Sequence, residues 1–135
     1  MHHPHHSFYK GIKGKDCVVL AVEKKSSSIL IDETSYHKVT KITGHIGATY
    51  AGLGPDFRIL MRKARKITQQ YWVKYREPIS VSNVSSKLAS TVQEFTQSGS
   101  RRPFGNSILL SGYDDLGAHL YQLDPSGAFY GKYLV

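Results

Sequence analysis

Apolar residues along this chain change period twice, and the changes divide it into strands, then helices, then strands again. Cys17-Val18-Val19-Leu20-Ala21-Val22 is a short continuous apolar run, which predicts a strand covered on both faces. Ile29-Leu30-Ile31 predicts a second strand after a Ser26-Ser27-Ser28 turn. Val39 to Ile42 and Ile46 to Leu53 predict two more, with Gly47 and Gly52 marking the close approach of another backbone. Short strands in such close succession predict a meander.

Gly54-Pro55-Asp56 has the form of a helix start, with proline early and an acid in the first turn. From there Phe57, Leu60, Ala64, Ile67, Tyr71 and Tyr75 recur at helical spacing and predict one apolar face, with Arg58, Arg62, Arg65 and Lys66 off it. Glu77-Pro78 ends that helix, because the residue before a proline is pushed out of the helical region. Ser80 or Ser82 is suited to cap a second helix, its hydroxyl meeting the open amides of the first turn. Val81, Val84, Leu88, Val92 and Phe95 form its stripe, and Gly99 stands as the residue just past its end. Ser107 to Tyr113 predicts the next strand, followed by an Asp114-Asp115-Leu116-Gly117 turn and a strand through Leu120, Tyr121 and Leu123. Asp124-Pro125-Ser126-Gly127 has the residues of a type I turn, and Ala128 to Val135 predicts a last strand. Strands, a helix pair and strands again indicate an α+β sandwich.

Composition narrows the class. A chain of 135 residues has room for one domain, and 40% apolar with 21% charged residues is ordinary for a globular chain. No apolar run approaches the roughly 20 residues that span a bilayer. Met1-His2-His3-Pro4-His5-His6 lacks the apolar stretch of a secretion signal, and a single cysteine fits a reducing compartment, so cytoplasm or nucleus is expected. The net charge of +8 gathers in residues 58–76 and calls for an acidic ligand or acidic neighbours in an assembly.

Four kinds of chemistry have candidate residues. Arg58, Arg62, Lys63, Arg65, Lys66, Lys74 and Arg76, with Tyr71, Trp72 and Tyr75, offer charges for phosphates and rings for bases, the alternative function of a small basic nucleic-acid-binding protein. These rings are more economically part of the apolar face, and no nucleic-acid recognition motif accompanies them. His2, His3, His5 and His6 suit a transition metal, but His37, His45 and His119 are scattered and no closed ligand set emerges. Gly52-Leu53-Gly54-Pro55 precedes a helix as phosphate loops do, yet lacks their lysine and hydroxyl. Cys17 opens an apolar strand and reads as an inert core thiol.

Glu94-Phe95-Thr96-Gln97-Ser98-Gly99-Ser100-Arg101-Arg102-Pro103-Phe104-Gly105, then an apolar run and Asp124-Pro125-Ser126-Gly127, resembles the helix-to-strand passage of proteasome α-type subunits of the 20S core particle. Gly11-Ile12-Lys13, Leu20 to Lys25, Ser28-Ile29-Leu30, Asp32-Glu33, His37-Lys38-Val39, His45-Ile46-Gly47, Gly54-Pro55-Asp56 and Ala64-Arg65-Lys66 stand in register with the same family, type 2 being the most similar variety. The resemblance implies an α+β, four-layer αββα sandwich of the N-terminal-nucleophile hydrolase type. Here it is expected incomplete, with the second helix pair missing and the chain truncated at both ends. Residues 1–9 are expected to form a disordered His-rich leader, and 10–135 a partial α-type domain.

Catalytic relatives use an N-terminal threonine whose own amino group is the base. Register places that position near Ser7, with Glu23 and Lys38 where the catalytic relatives keep an aspartate and a lysine. Ser7 is internal and follows His6, so no catalytic residue is expected. The resemblance implies a non-catalytic structural subunit of the α ring, contributing to assembly, gating and docking of regulatory complexes in protein degradation. Lys38 and Gly52 match positions lining a pocket for activator C-terminal tails. Its implied partners are neighbouring α subunits, the β ring and activator tails, with no cofactor, nucleic acid or membrane.

Overall fold

Ile46–Gly52 and Asn106–Asp114 carry the most deeply buried strand residues of the chain, and they pair with each other along their whole length, from Ile46 opposite Gly112 to Gly52 opposite Asn106. The computed structural model describes residues 8–26 and 28–135. Its strands are β1 (Tyr9–Lys13), β2 (Val18–Val22), β3 (Val39–Thr43), β4 (Ile46–Gly52), β5 (Asn106–Asp114), β6 (Gly117–Leu123) and β7 (Phe129–Gly131). Helices α1 (Gly54–Tyr75) and α2 (Val81–Gln97) connect β4 to β5. Strands β3-β4-β5-β6-β7 form one antiparallel sheet in sequence order, and β1 and β2 form a second.

Alternation sorts side chains between two faces of the five-stranded sheet. Ala48 and Tyr50 of β4 and Ile108 and Leu110 of β5 meet Leu60 and Ala64 of α1 and Val84, Leu88 and Val92 of α2 in one buried cluster. Burying a leucine such as Leu88 completely contributes about 1.5–3 kcal/mol. On the other face, Leu109 and Leu120 are buried outside that cluster. There the second sheet lies close. A Cβ on Gly11 would come within 2.9 Å of Leu120 Cδ1, and the Tyr9 hydroxyl donates to Ser107 Oγ at 3.1 Å. The layers run helix, sheet, sheet, and among the described residues no helix covers the outer side of β1 and β2, the incomplete αββα form expected.

Both helices begin and end for local reasons. Ser80, the first of the two candidates, caps α2 by accepting from the Asn83 N–H at 3.3 Å, and the Asp114 carboxylate adds a second acceptor, 3.1 Å from the Val81 N–H. Arg76 ends α1 in the left-handed region, φ 53°, with its N–H on the Trp72 carbonyl at 2.8 Å. At the end of α2, the Ser98 N–H reaches Glu94 O at 3.1 Å, and Gly99 does not adopt the left-handed conformation expected of it.

Five expectations are corrected. Ile29-Leu30-Ile31 is no strand: the Leu30 N–H bonds Ser28 Oγ and the Ile31 N–H bonds Ser28 O, so local turn bonds replace a ladder and the side chains of Ile29 and Leu30 are exposed. β2 is covered on one face only, since alternate residues face the five-stranded sheet and Val19 is 55% exposed. Cys17 is consequently exposed, just ahead of β2. Strand β1 is one the apolar pattern does not announce, because its inward residues are Tyr9, Gly11 and Lys13; it begins one residue inside the expected leader, whose residues 1–7 lie outside those described. The last strand is shorter than Ala128 to Val135. After β7 the chain crosses to the second sheet, where the Lys13 N–H bonds Tyr133 O at 2.9 Å and the Val135 N–H bonds Gly11 O at 2.9 Å.

Candidate functional site

Two sequence motifs remote along the chain meet at one end of the five-stranded sheet. Asp56, in the first turn of α1, accepts from both Nη atoms of Arg102, at 2.7 Å and 2.8 Å, and from the Gly105 N–H at 3.0 Å. Its side chain is 5% exposed, whereas that of Arg102 is 66% exposed. The paired donors of a guanidinium match the two oxygens of a carboxylate, so the pair fixes orientation as well as distance. The Arg102 hydrogen bonds draw the Asp56 carboxyl below its ordinary range; burial opposes this, and the Gly105 N–H and the charge of Arg102 reinforce it. Sequence reading sees in Asp56 only a favourable acid at a helix start. Its role as a clamp between Gly54-Pro55-Asp56 and Arg101-Arg102-Pro103-Phe104-Gly105 depends on a contact across 46 positions of sequence.

Gly52 stands against the same loop. Its φ is +121°, a conformation side chains resist, and a Cβ there would collide with the Gly105 carbonyl oxygen. The neighbouring Leu53 N–H bonds that oxygen at 3.0 Å. Packing alone therefore requires glycine at this position, independently of any ligand.

Lys38 immediately precedes β3. Since Val39 pairs with Thr49, the register continues to place Lys38 opposite Tyr50, two residues from Gly52, so both predicted site residues stand at the same end of the β3–β4 pair. Lys38 is only 5% exposed, although it stands at the start of a strand. Its Nζ donates to the Glu23 carbonyl at 3.2 Å and sits 5.8 Å from the ring centroid of Tyr36, while its own carbonyl accepts from Thr49 Oγ1 at 2.9 Å. The ammonium is thus oriented by backbone and ring at the sheet end.

The remaining candidates fall into place around this. Ser7, His2, His3, His5 and His6 lie outside the described residues. The Glu23 side chain is half exposed and its carboxylate is 3.9 Å from Lys25 Nζ. His45 donates from Nε2 to the Ile79 carbonyl at 2.9 Å, which leaves Nδ1 to accept from Thr43 Oγ1 at 3.1 Å. His119 Nε2 lies 2.9 Å from Asp114 Oδ1. Burial pushes the Asp114 carboxyl up, but the N–H groups of Val81 and Leu116 and the His119 ring outweigh it and hold it low. Among the described residues no three His, Cys, Asp or Glu side chains group as a metal site. Burial, with the Tyr36 hydroxyl 3.5 Å away, pushes the Tyr50 phenol up to about 12. The aromatic residues at the end of α1 are less buried than expected. Trp72 and Tyr75 are exposed, and Tyr75 rests against Tyr71 with ring centroids 4.5 Å apart.

Comparison with known proteins matches residues 9–135 to the proteasome subunit family. The chain is 54% identical over 120 residues to proteasome subunit alpha type-2 of Oryza sativa subsp. indica, covering 89% of this chain and 51% of the relative. It is 53% identical over 120 residues to the alpha type-2 subunit of Dictyostelium discoideum, again 89% of this chain and 51% of the relative. To that of Trypanosoma brucei brucei it is 49% identical over 120 residues, 89% of this chain and 52% of the relative. The chain thus spans about half the length of the curated relatives it matches.

Proposed function

The chain belongs to the proteasome subunit family, and on that premise we propose that it serves as a non-catalytic structural subunit of the α type. In this reading it takes one place in the α ring of a 20S core particle, against neighbouring α subunits and a β ring, in the cytoplasm and nucleus. What carries the reading is the extent of likeness to alpha type-2 subunits, about half the residues over 89% of the chain. The relatives lend nothing to the alternative of a nucleic-acid-binding helix over Arg58–Arg76.

The non-catalytic reading follows from the chemistry of the family's nucleophile. A free α-amino group beside the attacking hydroxyl is required, and Ser7 is internal and follows His6 in place of a glycine at which processing would free it. Incubation with a threonine-directed covalent inhibitor is expected to leave the chain's mass unchanged. A stoichiometric adduct on Ser7 overturns the reading.

The proposed regulatory site is Lys38 with Gly52, as a receptor for the C-terminal carboxylate of an activator tail. An oriented, largely water-excluded ammonium interacts with a carboxylate more strongly than a solvated lysine does. The exposed backbone at Gly52 offers the tail main-chain groups nearby. In an assembled ring, Lys38→Ala is expected to weaken binding of a tail peptide at this pocket by about 1–3 kcal/mol, the scale of a hydrogen bond to a charged group. Titration of a fluorescent tail peptide reads this directly, and unchanged affinity with unchanged gate opening removes Lys38 from the site.

A further inference from the structure

Beyond the Lys38 and Gly52 pair, a cleft of about 400 Å³ opens between the segment leading into β3 and the outer flank of α1, and neither Lys38 nor Gly52 lines it. Tyr36, His37 and Thr40 stand on one wall; Arg58, Arg62 and Arg65 stand on the other. All three arginines are exposed. Among the described residues the ion pairs are Lys25 with Glu23, Arg102 with Asp56 and His119 with Asp114, so none of the described carboxylates pairs with the row. Like charges at this spacing on a helix oppose one another, and the only acid within α1, Asp56, is already taken by Arg102.

The row is also ordered. Arg65 donates from Nε at 3.1 Å and from Nη2 at 2.8 Å to the Lys41 carbonyl, which fixes its plane and leaves three of its five N–H donors for a ligand. Along the axis Arg58 and Arg62 are about 6 Å apart at the usual helical rise. Alternate side chains of an extended peptide project at about 6.6 Å. The two repeats match closely enough for Arg58 and Arg62 to take successive carboxylates, while Arg65, about 4.5 Å further along the axis, adds its remaining donors beside Arg62. A nucleic acid would want a run of ring faces as well, yet Tyr50 and Phe57 beneath the cleft are buried and stacked on each other, with centroids 4.2 Å apart, which leaves Tyr36, 40% exposed, as a single phenol face on the wall.

We propose that this cleft is a docking site for an extended acidic segment of a partner protein, its alternate carboxylates held by Arg58, Arg62 and Arg65. The inference stands on the arginine row and requires nothing of ring assembly. Cys17, exposed and the only cysteine, allows the full chain to be biotinylated away from α1 and held on a sensor surface. A synthetic peptide of alternating glutamate and alanine and an oligothymidylate of equal charge are then titrated over it. The peptide is expected to bind, and Arg58→Gln with Arg62→Gln to weaken it by about tenfold, the scale for losing charge-assisted forks. Lys66→Gln with Lys74→Gln removes the same charge outside the cleft and is expected to change affinity by no more than about twofold, as a distant screened charge does. Circular dichroism confirms that both variants keep their helices. The proposal is overturned if the peptide does not bind, if both double variants weaken it alike, or if the oligothymidylate binds more tightly and depends on the same arginines.

Discussion

The 135-residue chain is expected to self-associate through the outer face of its two-stranded sheet. Ile12, Val19 and Leu134 stand side by side across β1, β2 and the C-terminal segment, since Ile12 pairs with Val19 on one side and bridges to Leu134 on the other. Their exposures are 53%, 55% and 66%. A contiguous apolar stripe of this kind is rare on soluble monomers, and water drives it against another apolar surface. Strand β2 adds to the effect: among the described residues it pairs with β1 alone, so its other edge presents unpaired backbone groups. Light scattering and binding of a dye for apolar surface should both report association. Ile12→Thr, Val19→Thr and Leu134→Thr together keep residues suited to strands while removing the stripe, and the triple variant is expected to scatter as a monomer and lose most of the dye signal. A wild-type chain that is a monodisperse monomer, unfolds cooperatively and binds no dye contradicts the expectation.

In that monodisperse background, Asp56→Ala is expected to cost about 2–4 kcal/mol of stability, since it removes three hydrogen bonds to a buried carboxylate and leaves the Gly105 N–H without its acceptor. The pH dependence has a definite sign. The folded carboxyl is held below its ordinary range, so its contribution is fully present above the unfolded value, near 4 for an aspartate. It is lost as the pH falls from there through the lowered folded value. The gap between the two proteins in urea unfolding should therefore be widest near neutral pH and narrow on acidification below about pH 4. A gap that is absent at neutral pH, or that widens in acid, rules out the clamp.

The parts of the fold that sequence reading anticipated are those in which local pattern and tertiary demand agree. Phe57, Leu60 and Ala64 recur at helical spacing and are buried; Val84, Leu88 and Val92 do the same in α2; and Ser80 caps the helix it precedes. Strands β3 to β6 follow their apolar runs closely because each lies in the sheet that helices cover. The second sheet breaks the correspondence. Its inward strand β1 reads Tyr-Lys-Gly-Ile-Lys, where the decisive inward residue is Gly11, chosen for closeness to Leu120 rather than for apolarity. Cys17 to Val22 reads as a core strand, yet only one of its faces is buried. Ile29-Leu30-Ile31 has the composition of a strand but pairs with no strand among the described residues, and Ser28 captures its backbone first, through its hydroxyl at the Leu30 N–H and its carbonyl at the Ile31 N–H.

The candidate site was legible only as positions. Lys38 and Gly52 come from resemblance, and the sheet register brings them to one end of β3 and β4, but the burial of Lys38 and its bond to the Glu23 carbonyl depend on how the second sheet lies against the first. Asp56 and Arg102 were each visible within a motif, and nothing local says that the two motifs touch.

Whether the chain takes a place in an α ring is tested most directly by native mass spectrometry of the chain recovered, with its partners, from the cells that make it. The account predicts an assembly in which it accompanies a ladder of distinct subunits of proteasome type, present once in each α ring. Recovery of the chain alone, only with further copies of itself, or with nucleic acid and no proteasome subunit would contradict it.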